Sequence, residues 1–286
     1  MEVGKVVFLR GSRASVTHRP AHLDGYTTGA LDIAVKDRRV LSIPSQLGCR
    51  IGCTFCVSRN TPLVRNLSVD EMLEMVHSCF EAEPPDGRAV ELSFTGEGEP
   101  LLNWKNTTVC AREAARRYPG VITAIRYCFS GLGANQLLAR AQNSELPVRL
   151  QFSLHAARQP VRSSLVPRSE SLEVILAAIR AHEALFSAIE LNVVLQDGVN
   201  DRDADLQALM NWGDPRWPVL LNPLLADGKE VVAANTSRFA AALCDAGREV
   251  KVYSQVGSLI SRQGIYPLMS ARVSAAGRAP ALYASA

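Results

Sequence analysis

The sequence lacks any long run of apolar residues and any recognisable cleavage signal. Its first residues, MEVGKVVFLRGSR, mix charged and apolar side chains. A membrane-spanning helix needs about 20 mostly apolar residues, and a signal peptide needs an apolar segment before a small-residue site. We therefore expect no association with a membrane, and we predict a cytoplasmic location.

A disulfide framework and a strongly basic surface are also missing. The chain has seven cysteines, three of them clustered, which suits a reducing compartment and a metal cofactor better than disulfides. Its net charge is only +3. Proteins that contact several phosphates usually carry a clustered basic stripe, and here the densest basic stretches are short. The charge therefore neither requires nor excludes nucleic acid as a partner.

What is present is the pattern of a single large α/β domain. The 286 residues are 47% hydrophobic and 21% charged, which is enough for one full core. Predicted strands and helices alternate from Arg38 onward, and parallel strands need such crossover helices. We predict a partial (β/α)6 barrel, similar to a TIM barrel, over 38–265. A short N-terminal β extension would occupy 1–37, and a C-terminal tail would occupy 266–286.

The sequence also predicts individual elements of the extension and of the barrel. In the extension, VVFLR and ALDIAV are predicted strands, and the intervening SVTHRPAHLDGYTTG is predicted to be rich in turns. Its tip, His18 to Tyr26, is interpreted either as a cover for a substrate pocket or as an ordinary surface loop. The first barrel strand is expected at Val40–Pro44, and two helices are expected at Ala134–Gln142 and Leu172–Phe186.

The most informative stretch is Gly48 to Arg59, GCRIGCTFCVSR, in which Cys49, Cys53 and Cys56 have the spacing C-x3-C-x2-C. Three thiolates this close together can hold one inorganic centre and leave one coordination position open. A structural zinc site usually has four ligands in two pairs, whereas a four-iron four-sulfur cluster with three cysteines leaves one iron free. The alternatives are a zinc loop completed from a distance, or three unrelated buried thiols.

Five segments with polar or glycine residues follow predicted barrel strands. The cysteine loop follows the first strand and TGEGEP the second; Ser130 and Gly131 follow the third, SLHA closes the fourth, and Asn222 ends the sixth. Active sites of α/β barrels lie at the carboxyl ends of the strands. The sequence therefore predicts that these segments meet in one site.

Pro44 to Cys56 (PSQLGCRIGCTFC), Thr95 to Asn103 (TGEGEPLLN) and Ser153 to Ala156 (SLHA) together carry a family resemblance. The chain resembles the radical S-adenosylmethionine (SAM) superfamily. Within it, the chain is similar to the branch of large-subunit ribosomal RNA adenine methyltransferases and their antibiotic-resistance relatives. The likeness extends from about Arg38 to about Gly264.

The resemblance implies two cofactors, a 4Fe-4S cluster and SAM. The cluster would be held by Cys49, Cys53 and Cys56, and an electron donor such as flavodoxin or ferredoxin would reduce it. SAM would then be cleaved to methionine and a 5′-deoxyadenosyl radical. The residues expected at SAM are Phe55, Gly96, Glu97, Gly98, Glu99, Pro100, Ser130, Ser153, His155 and Asn222.

Each of these assignments has a structural alternative. TGEGEP could be a glycine-rich turn with solvated acids, although glycines at 96 and 98 would let a backbone approach a ligand closely. A lone histidine such as His155 is more often a core residue. The LLNPLL pattern around Asn222 could be shifted by a residue or two. No catalytic residue is assigned.

Two cysteines of the resembled methyltransferases are missing. The methyl-carrying cysteine would fall at or near Gln263, and the cysteine that releases the adduct would fall at Ser42. Neither side chain replaces a thiolate well. Cys128 could be a substitute, but we interpret it as a small buried hydrophobe, as we do Cys110 and Cys244. Only 48 residues precede Cys49, fewer than those enzymes devote to an accessory domain.

Three functional hypotheses follow. The favoured one is a radical SAM enzyme without cysteine-relayed methyl transfer, acting on a small molecule of secondary metabolism, nucleoside-like or sugar-like, or rearranging SAM itself. The second is an RNA adenine methyltransferase with divergent cysteines, so RNA is the less favoured substrate. The third is a non-catalytic RNA-binding protein whose cluster is structural or senses redox state.

Overall fold

A computed structural model describes residues 2–3, 7–10, 14–35, 37–143, 145–226 and 229–252. The strands are β1 (Glu2–Val3), β2 (Val7–Arg10), β3 (Ala14–Leu23), β4 (Tyr26–Val35), β5 (Arg38–Ser42), β6 (Gln46–Leu47), β7 (Arg65–Asn66), β8 (Ala89–Phe94), β9 (Ile122–Phe129), β10 (Val148–Ser153), β11 (Ala188–Val194), β12 (Val219–Asn222), β13 (Leu224–Ala226), β14 (Lys229–Val231) and β15 (Val250–Val252). The helices are α1 (Val69–Ala82), α2 (Trp104–Arg117), α3 (Ala134–Leu138), α4 (Gln159–Leu165), α5 (Leu172–His182), α6 (Asp203–Asn211) and α7 (Thr236–Asp245).

One sheet organises the described residues. Its path runs β1-β3-β4-β5-β8-β9-β10-β11-β12-β15, with β2 paired to β3. From β5 to β15 each neighbouring pair of strands is parallel, and helices make every crossover. This arrangement confirms the predicted α/β partial barrel with six β-α units.

The helices form where sequence patterns and caps agree. Helix α1 begins after Ser68, whose side chain accepts a hydrogen bond from the Glu71 backbone, while the Glu71 carboxylate accepts one from the Ser68 backbone. This capping box satisfies two amide groups that the first helical turn leaves unpaired. Its apolar residues recur three or four positions apart, and the face from Met72 to Phe80 is buried in the core.

Strand alternation separates the core from the barrel interior. In β8, Val90, Leu92 and Phe94 pack in the hydrophobic core with the helices. Because successive side chains of a strand point to opposite faces, Glu91 and Ser93 face the interior of the barrel. That interior is therefore lined by polar residues on several strands.

Near the amino ends of the strands, this interior carries an ion-pair network that we call the ionic floor: Glu91, Arg126, Arg149, Glu190 and Lys251. Arg126 contacts Glu91 at 2.6 Å and also pairs with Glu190. Arg149 and Lys251 approach the same two carboxylates at 3.1 Å and 3.2 Å. Burial opposes ionisation of Glu190, but Arg126 and Lys251 lower its pKa below the ordinary value.

The N-terminal prediction was partly wrong. Most of the stretch predicted to be turn-rich lies in β3 and β4, which pair in one antiparallel hairpin that turns at Asp24 and Gly25. Gly29 serves a close strand contact, because a Cβ there would lie 2.3 Å from the carbonyl oxygen of Arg19. His18 therefore lies in the middle of a strand, fully buried, and not at a loop tip.

Other boundaries also differ from the predictions. The first barrel strand is Arg38–Ser42, α3 ends at Leu138, and α5 ends at His182 before a short 3₁₀ turn. After α3, the backbones of Arg140 and Ala141 donate to the carbonyls of Leu137 and Leu138, three residues earlier, so a tighter turn replaces the last predicted helical residues. Helix α4 and the β13–β14 hairpin were not predicted.

No helix in the described ranges is both long and apolar enough to cross a bilayer. Gln263 and the predicted tail, 266–286, lie outside the residues that the structure describes. The predicted boundary at 37/38 falls in the turn between the paired strands β4 and β5. Both domain boundaries stay predictions.

Candidate active site

The cysteine loop leaves the barrel at the end of β5 and is closed at its base by the short pair β6–β7. Gly48 begins it with φ +71°, and a Cβ at that position would lie 2.1 Å from the carbonyl oxygen of Pro62. The Cys49 amide donates to the Thr61 carbonyl. Only glycine fits this close crossing, so Gly48 fixes where Cys49 enters the loop.

The three cysteines are half-buried and close enough to influence one another electrostatically. Cys49, Cys53 and Phe55 pack against an apolar cluster formed by Ile51, Ala156, Leu165 and Val166. Burial raises the pKa of Cys49 to about 12 and also raises the pKa of Cys53 and Cys56, and neighbouring thiolates raise the first two further. Three thiolates here require a positive centre among them, which is what an iron–sulfur cluster supplies.

Within the described part of the chain, no three His, Cys, Asp or Glu side chains are grouped so that they could hold a single metal ion. A cubane cluster makes a different demand, because each thiolate binds a different iron atom. Its cysteines surround the cluster and do not converge on one point. The result therefore bears on a single-ion site and not on a cluster.

The loop after β8, Thr95 to Asn103, lies directly against the start of the cysteine loop. The Glu97 carbonyl accepts hydrogen bonds from the backbones of Ser45 and Gln46 at 2.9 Å and 3.3 Å. The Asn103 side chain donates to the Ser45 carbonyl at 2.8 Å, and the Glu99 backbone donates to the Gln46 side chain. Two predicted site segments are thereby held as one unit.

Gly96 and Gly98 are required by this close packing. A Cβ on Gly96 would lie 3.0 Å from the Pro44 backbone, and one on Gly98 would lie 2.7 Å from the Gln46 side chain. Gly98 also has φ +102°. Both glycines therefore let this loop approach the chain that leads into the cysteine loop, and the structure gives them that role whether or not a ligand is bound.

Glu99 is a buried acid with an unused oxygen. Its Oε2 accepts a hydrogen bond from the Ser130 backbone at 2.9 Å, whereas its Oε1 has no hydrogen-bond partner. The Ser130 hydroxyl is near enough to lower the pKa of Glu99, yet it makes no hydrogen bond of good geometry. Burial nevertheless raises that pKa to about 7. A ligand ammonium group would satisfy the carboxylate, and Pro100, which follows, starts a short 3₁₀ turn.

Arg162 braces the ends of two strands and was not predicted to do so. Its Nη1 donates to the carbonyls of Ser153 and Leu154, and its Nη2 donates to the carbonyl of Ser130. The side chain is fully buried, and burial lowers its pKa to about 10. Its partners are eight to 32 positions away in the chain, so no local pattern could have identified this contact.

Ser153 holds the thiol of Cys128 inside the barrel. The Ser153 hydroxyl and the Cys128 sulfur are 3.1 Å apart. Burial raises the pKa of Cys128 to about 12, and the nearby Glu99 raises it as well. This thiol therefore faces the site and stays protonated. Cys110 is buried in the core as expected, and Cys79 is buried there too, whereas Cys244 is exposed, contrary to the prediction.

His155 adopts a left-handed backbone, with φ +54°, immediately after β10. Its Nδ1 accepts a hydrogen bond from the Val194 backbone at 3.2 Å, so a neutral ring carries its proton on Nε2. The ring meets that of Phe55 edge to face at 4.5 Å. Burial lowers the pKa of His155 well below its ordinary value, which favours the neutral ring.

Asn222 ends β12 and is half-buried. Its side-chain nitrogen donates to Asn192 Oδ1 on the neighbouring strand at 2.5 Å. Asn192 was not singled out in the sequence, because an asparagine inside an apolar strand has no distinctive pattern. The pair offers amide groups at the same barrel opening as Ser153 and His155.

The geometry thus defines an α/β barrel with a buried, polar ligand site at the carboxyl ends of its strands. The family model of the Radical SAM superfamily matches residues 43–210. The chain belongs to the radical SAM superfamily. That superfamily uses a 4Fe-4S cluster and SAM, and the clustered thiols, the free Glu99 oxygen and the glycine-lined loop are chemically suited to both.

Known relatives and one solved structure agree with this membership. The chain is 35% identical over 191 residues to the dual-specificity RNA methyltransferase RlmN of Halorhodospira halophila, covering 65% of this chain and 53% of that protein. It is 33% identical over 190 residues to the probable dual-specificity RNA methyltransferase RlmN of Thermotoga neapolitana, covering 65% and 54%. The chain spans about half the length of the curated relatives it matches.

The structural likeness covers more of the chain. A radical SAM methyltransferase from Sphaerobacter thermophilus superposes with a TM-score of 0.75 at 25% sequence identity. The match covers 91% of this chain and 80% of that one. The barrel and the strands that precede it therefore have a counterpart in a radical SAM methyltransferase.

Proposed function

We propose that this chain is a radical SAM methyltransferase that acts on an RNA adenine. The observation that carries this proposal is that the two relatives of similar sequence named above and the solved structure from Sphaerobacter thermophilus are all methyltransferases. The sequence alone favoured a small-molecule reaction, and these relatives support the RNA alternative better. Fold and cofactor do not by themselves determine the substrate, so the assignment needs a direct test.

In this proposal Cys49, Cys53 and Cys56 hold the cluster. Glu99 receives the methionyl ammonium group on its free Oε1, beside Pro100 and the close-packed Gly96 and Gly98. The remaining contacts to SAM are assigned to the residues that surround the opening: Phe55, Glu97, Ser130, Ser153, His155 and Asn222. When bound, the cofactors supply a methyl group and a 5′-deoxyadenosyl radical.

The chain's own contribution is to hold these groups in fixed positions and away from water. Arg162 fixes the carbonyl ends of two strands, and the Asn103 and Gln46 side chains fix the glycine loop against the cysteine loop. Such preorganisation matters because a reactive radical must form beside a single hydrogen atom of its substrate. We also propose a flavodoxin or ferredoxin as electron donor and a cytoplasmic location.

The second candidate function is a radical SAM enzyme that does not transfer a methyl group through a cysteine. It is favoured by Ser42, which stands where a resolving thiol is expected and whose hydroxyl lies 3.1 Å from Thr95 Oγ1. Cys128 is a weak substitute, because a pKa of about 12 leaves little of the nucleophilic thiolate. Under this hypothesis the substrate is a small molecule of natural product biosynthesis, or SAM itself.

One experiment separates the candidates. The chain is reconstituted with iron and sulfide without oxygen, then given dithionite, SAM and ribosomal RNA, and its products are identified by mass spectrometry. S-adenosylhomocysteine together with methylated adenine in the RNA is the expected result. Formation of 5′-deoxyadenosine without S-adenosylhomocysteine, with or without RNA, would favour the second candidate.

The variants Cys128→Ala and Cys110→Ala refine the result. If Cys128 replaces a missing methyl-relay cysteine, Cys128→Ala abolishes RNA methylation while Cys110→Ala, a buried cysteine away from the site, retains it. Equal methylation by both variants would show that Cys128 takes no part in methyl transfer. If the reduced parent protein consumes no SAM, both candidate functions are rejected and a non-catalytic cluster is favoured.

A further inference from the structure

Two segments that build the wall around the cysteine loop contain arginines and no acids. Residues 43–69 include Arg50, Arg59 and Arg65, and residues 155–169 include Arg158, Arg162 and Arg168; neither segment has an aspartate or glutamate. The whole chain carries a net charge of only +3. Its positive charge is therefore concentrated where the cluster is expected.

The two segments form one continuous surface. The Thr54 backbone donates to the Leu165 carbonyl at 3.0 Å, joining the cysteine loop to the end of α4. Arg168 Nη1 donates to the carbonyl of Arg50, which lies between the first two cysteines. Arg59 Nη1 donates at 2.7 Å to the carbonyl of Thr54, which lies between the second and third. The arginines thus border the loop at each gap between its thiols.

Three of the six arginines remain available to a partner. Arg65 pairs with Asp24 and Glu71, Arg158 pairs with Asp205, and Arg162 is buried against carbonyls. Arg50, Arg59 and Arg168 are exposed, and no ion pair joins them to a carboxylate of the described residues. We call these three the arginine collar.

The collar lies on the outer side of the loop. The inner side faces the barrel, since Cys49 and Cys53 pack against Ala156, Phe55 meets His155, and the charge of Glu99 affects Cys49. A substrate that enters the barrel uses that inner side. A partner held by the collar would lie against the exposed side of the loop that carries the three thiols.

We infer that the arginine collar is the docking surface for an acidic one-electron donor protein. The superfamily's cluster must receive an electron from outside, and the collar places positive charge directly on the loop whose thiols would hold that cluster. Complementary charge steers such encounters and raises association rates, an effect that salt weakens. The inference depends on radical chemistry and holds whether the substrate is RNA or a small molecule.

The test uses the full chain with its cluster and a photoreduced bacterial flavodoxin as probe. The rate of cluster reduction is followed by rapid mixing without oxygen, and the affinity of the oxidised proteins is measured by calorimetry. The variant R50E/R59E/R168E is compared with R112E/R116E/R117E, which makes the same charge change on α2. The collar variant should lose at least about tenfold in rate and affinity at low salt, and the α2 variant less than about twofold.

Two further readouts separate docking from damage to the cluster. Iron and sulfide content, and the final yield of 5′-deoxyadenosine with excess dithionite, should match the parent protein in both variants. If the triple collar variant fails to hold its cluster, Arg50→Glu decides the question, because no hydrogen bond or ion pair of the Arg50 side chain to the loop is found. That single variant should retain its cluster and lose about threefold in the flavodoxin-driven rate.

Equal flavodoxin rates in the collar and α2 variants would overturn the inference. So would a collar variant that loses salt-sensitive binding of RNA while flavodoxin reduces it normally, since the collar would then be a phosphate-binding surface. Failure of the proposed methyl transfer would appear instead as missing S-adenosylhomocysteine with a normal reduction rate. The two failures are therefore distinguishable.

Discussion

The ionic floor and the opposite end of the barrel both bury polar groups. We call that opposite end, which includes Glu99, Ser130 and Arg162 at the carboxyl ends of the strands, the mouth. The two regions differ in whether their buried polar groups have partners. In the floor, Arg126 and its neighbours neutralise Glu91 and Glu190 through direct ion pairs. At the mouth, Glu99 Oε1, the Ser130 hydroxyl and Arg162 Nε are buried without a hydrogen-bond partner. Unpaired buried polar atoms destabilise a fold unless something else binds them. The comparison indicates that the floor maintains the fold and that the mouth is built for a ligand.

The largest expected effect is at the mouth. Cys53→Ser should abolish cluster binding and SAM cleavage, because two cysteines cannot hold the cluster that reduces SAM. Iron content and 5′-deoxyadenosine yield measure this. Cys244→Ser, at an exposed cysteine of α7, is the control and should behave like the parent protein. Retention of full activity by Cys53→Ser would show that the loop is not the cluster site.

Removing a charge from the ionic floor should lower the stability of the fold. Arg126→Met leaves Glu91 and Glu190 buried without their main cation, which should lower the free energy of unfolding by about 3–5 kcal/mol. Urea denaturation of the protein without its cluster measures this. Arg116→Met removes an exposed ion pair with Glu113 and should change stability by less than about 1 kcal/mol. A similar small loss in both variants would contradict a structural role for the floor.

His18 lies outside both the floor and the mouth. It is buried in strand β3, and neither of its ring nitrogens has a hydrogen-bond partner. Burial lowers its pKa from 6.5 to about 4, so the folded protein binds fewer protons than the unfolded chain between these values. Stability is therefore lost as the pH falls through this window, by roughly 3 kcal/mol from this group at pH 4. In His18→Leu, the difference in unfolding free energy between pH 7 and pH 4 should shrink by about that amount.

The control is His182→Leu, the same substitution at a half-buried histidine that ends α5, measured at the same two pH values. Unchanged pH dependence in His18→Leu would mean that His18 is solvated or paired in solution. Such a result would also weaken the inference that the unpaired buried atoms at the mouth indicate a ligand site.

The smallest expected effect belongs to Glu99. Glu99→Gln removes the charge that would pair with a ligand ammonium, so SAM affinity of the cluster-loaded protein should fall about tenfold. Stability should change by less than about 1 kcal/mol, because Glu99 forms no direct ion pair within the described residues and a glutamine oxygen can still accept the hydrogen bond from the Ser130 backbone. Equilibrium dialysis and thermal denaturation give the two numbers. Glu170→Gln, at a half-buried acid near α3, should leave affinity intact; equal affinities would contradict the assignment of Glu99.

The comparison also shows what sequence could and could not predict. The local sequence pattern predicts a helix at Trp104–Arg117 and strands at Ala89–Phe94 and Ile122–Phe129, and α2, β8 and β9 have these bounds. The order of strands followed from the alternation of elements and from the rules for parallel crossovers. The mouth was predictable as a meeting of strand ends, with Cys49, Glu99, Ser153 and His155 brought together as expected.

The remaining features depend on contacts between distant parts of the chain. Arg126 meets Glu91 and Glu190 across separations of 35 and 64 residues, and no periodicity reports such a pairing. Arg162 reaches three strand-end carbonyls from a helix that the sequence did not reveal. In the N-terminal hairpin, Gly29 was taken for a turn residue, although it allows close contact between strands. The sequence shows that a charged residue such as Arg126 stands in an apolar strand. Its partners become known only from which strands lie side by side and which residues face each other.

The central claim is that the mouth of this barrel generates a radical from SAM. The most direct measurement is the reaction of the anaerobically reconstituted chain with dithionite and SAM, with products separated by mass spectrometry. We expect 5′-deoxyadenosine and methionine from the parent protein and neither product from Cys53→Ser. A parent protein that carries a reducible cluster and leaves SAM intact, with or without RNA, would contradict it.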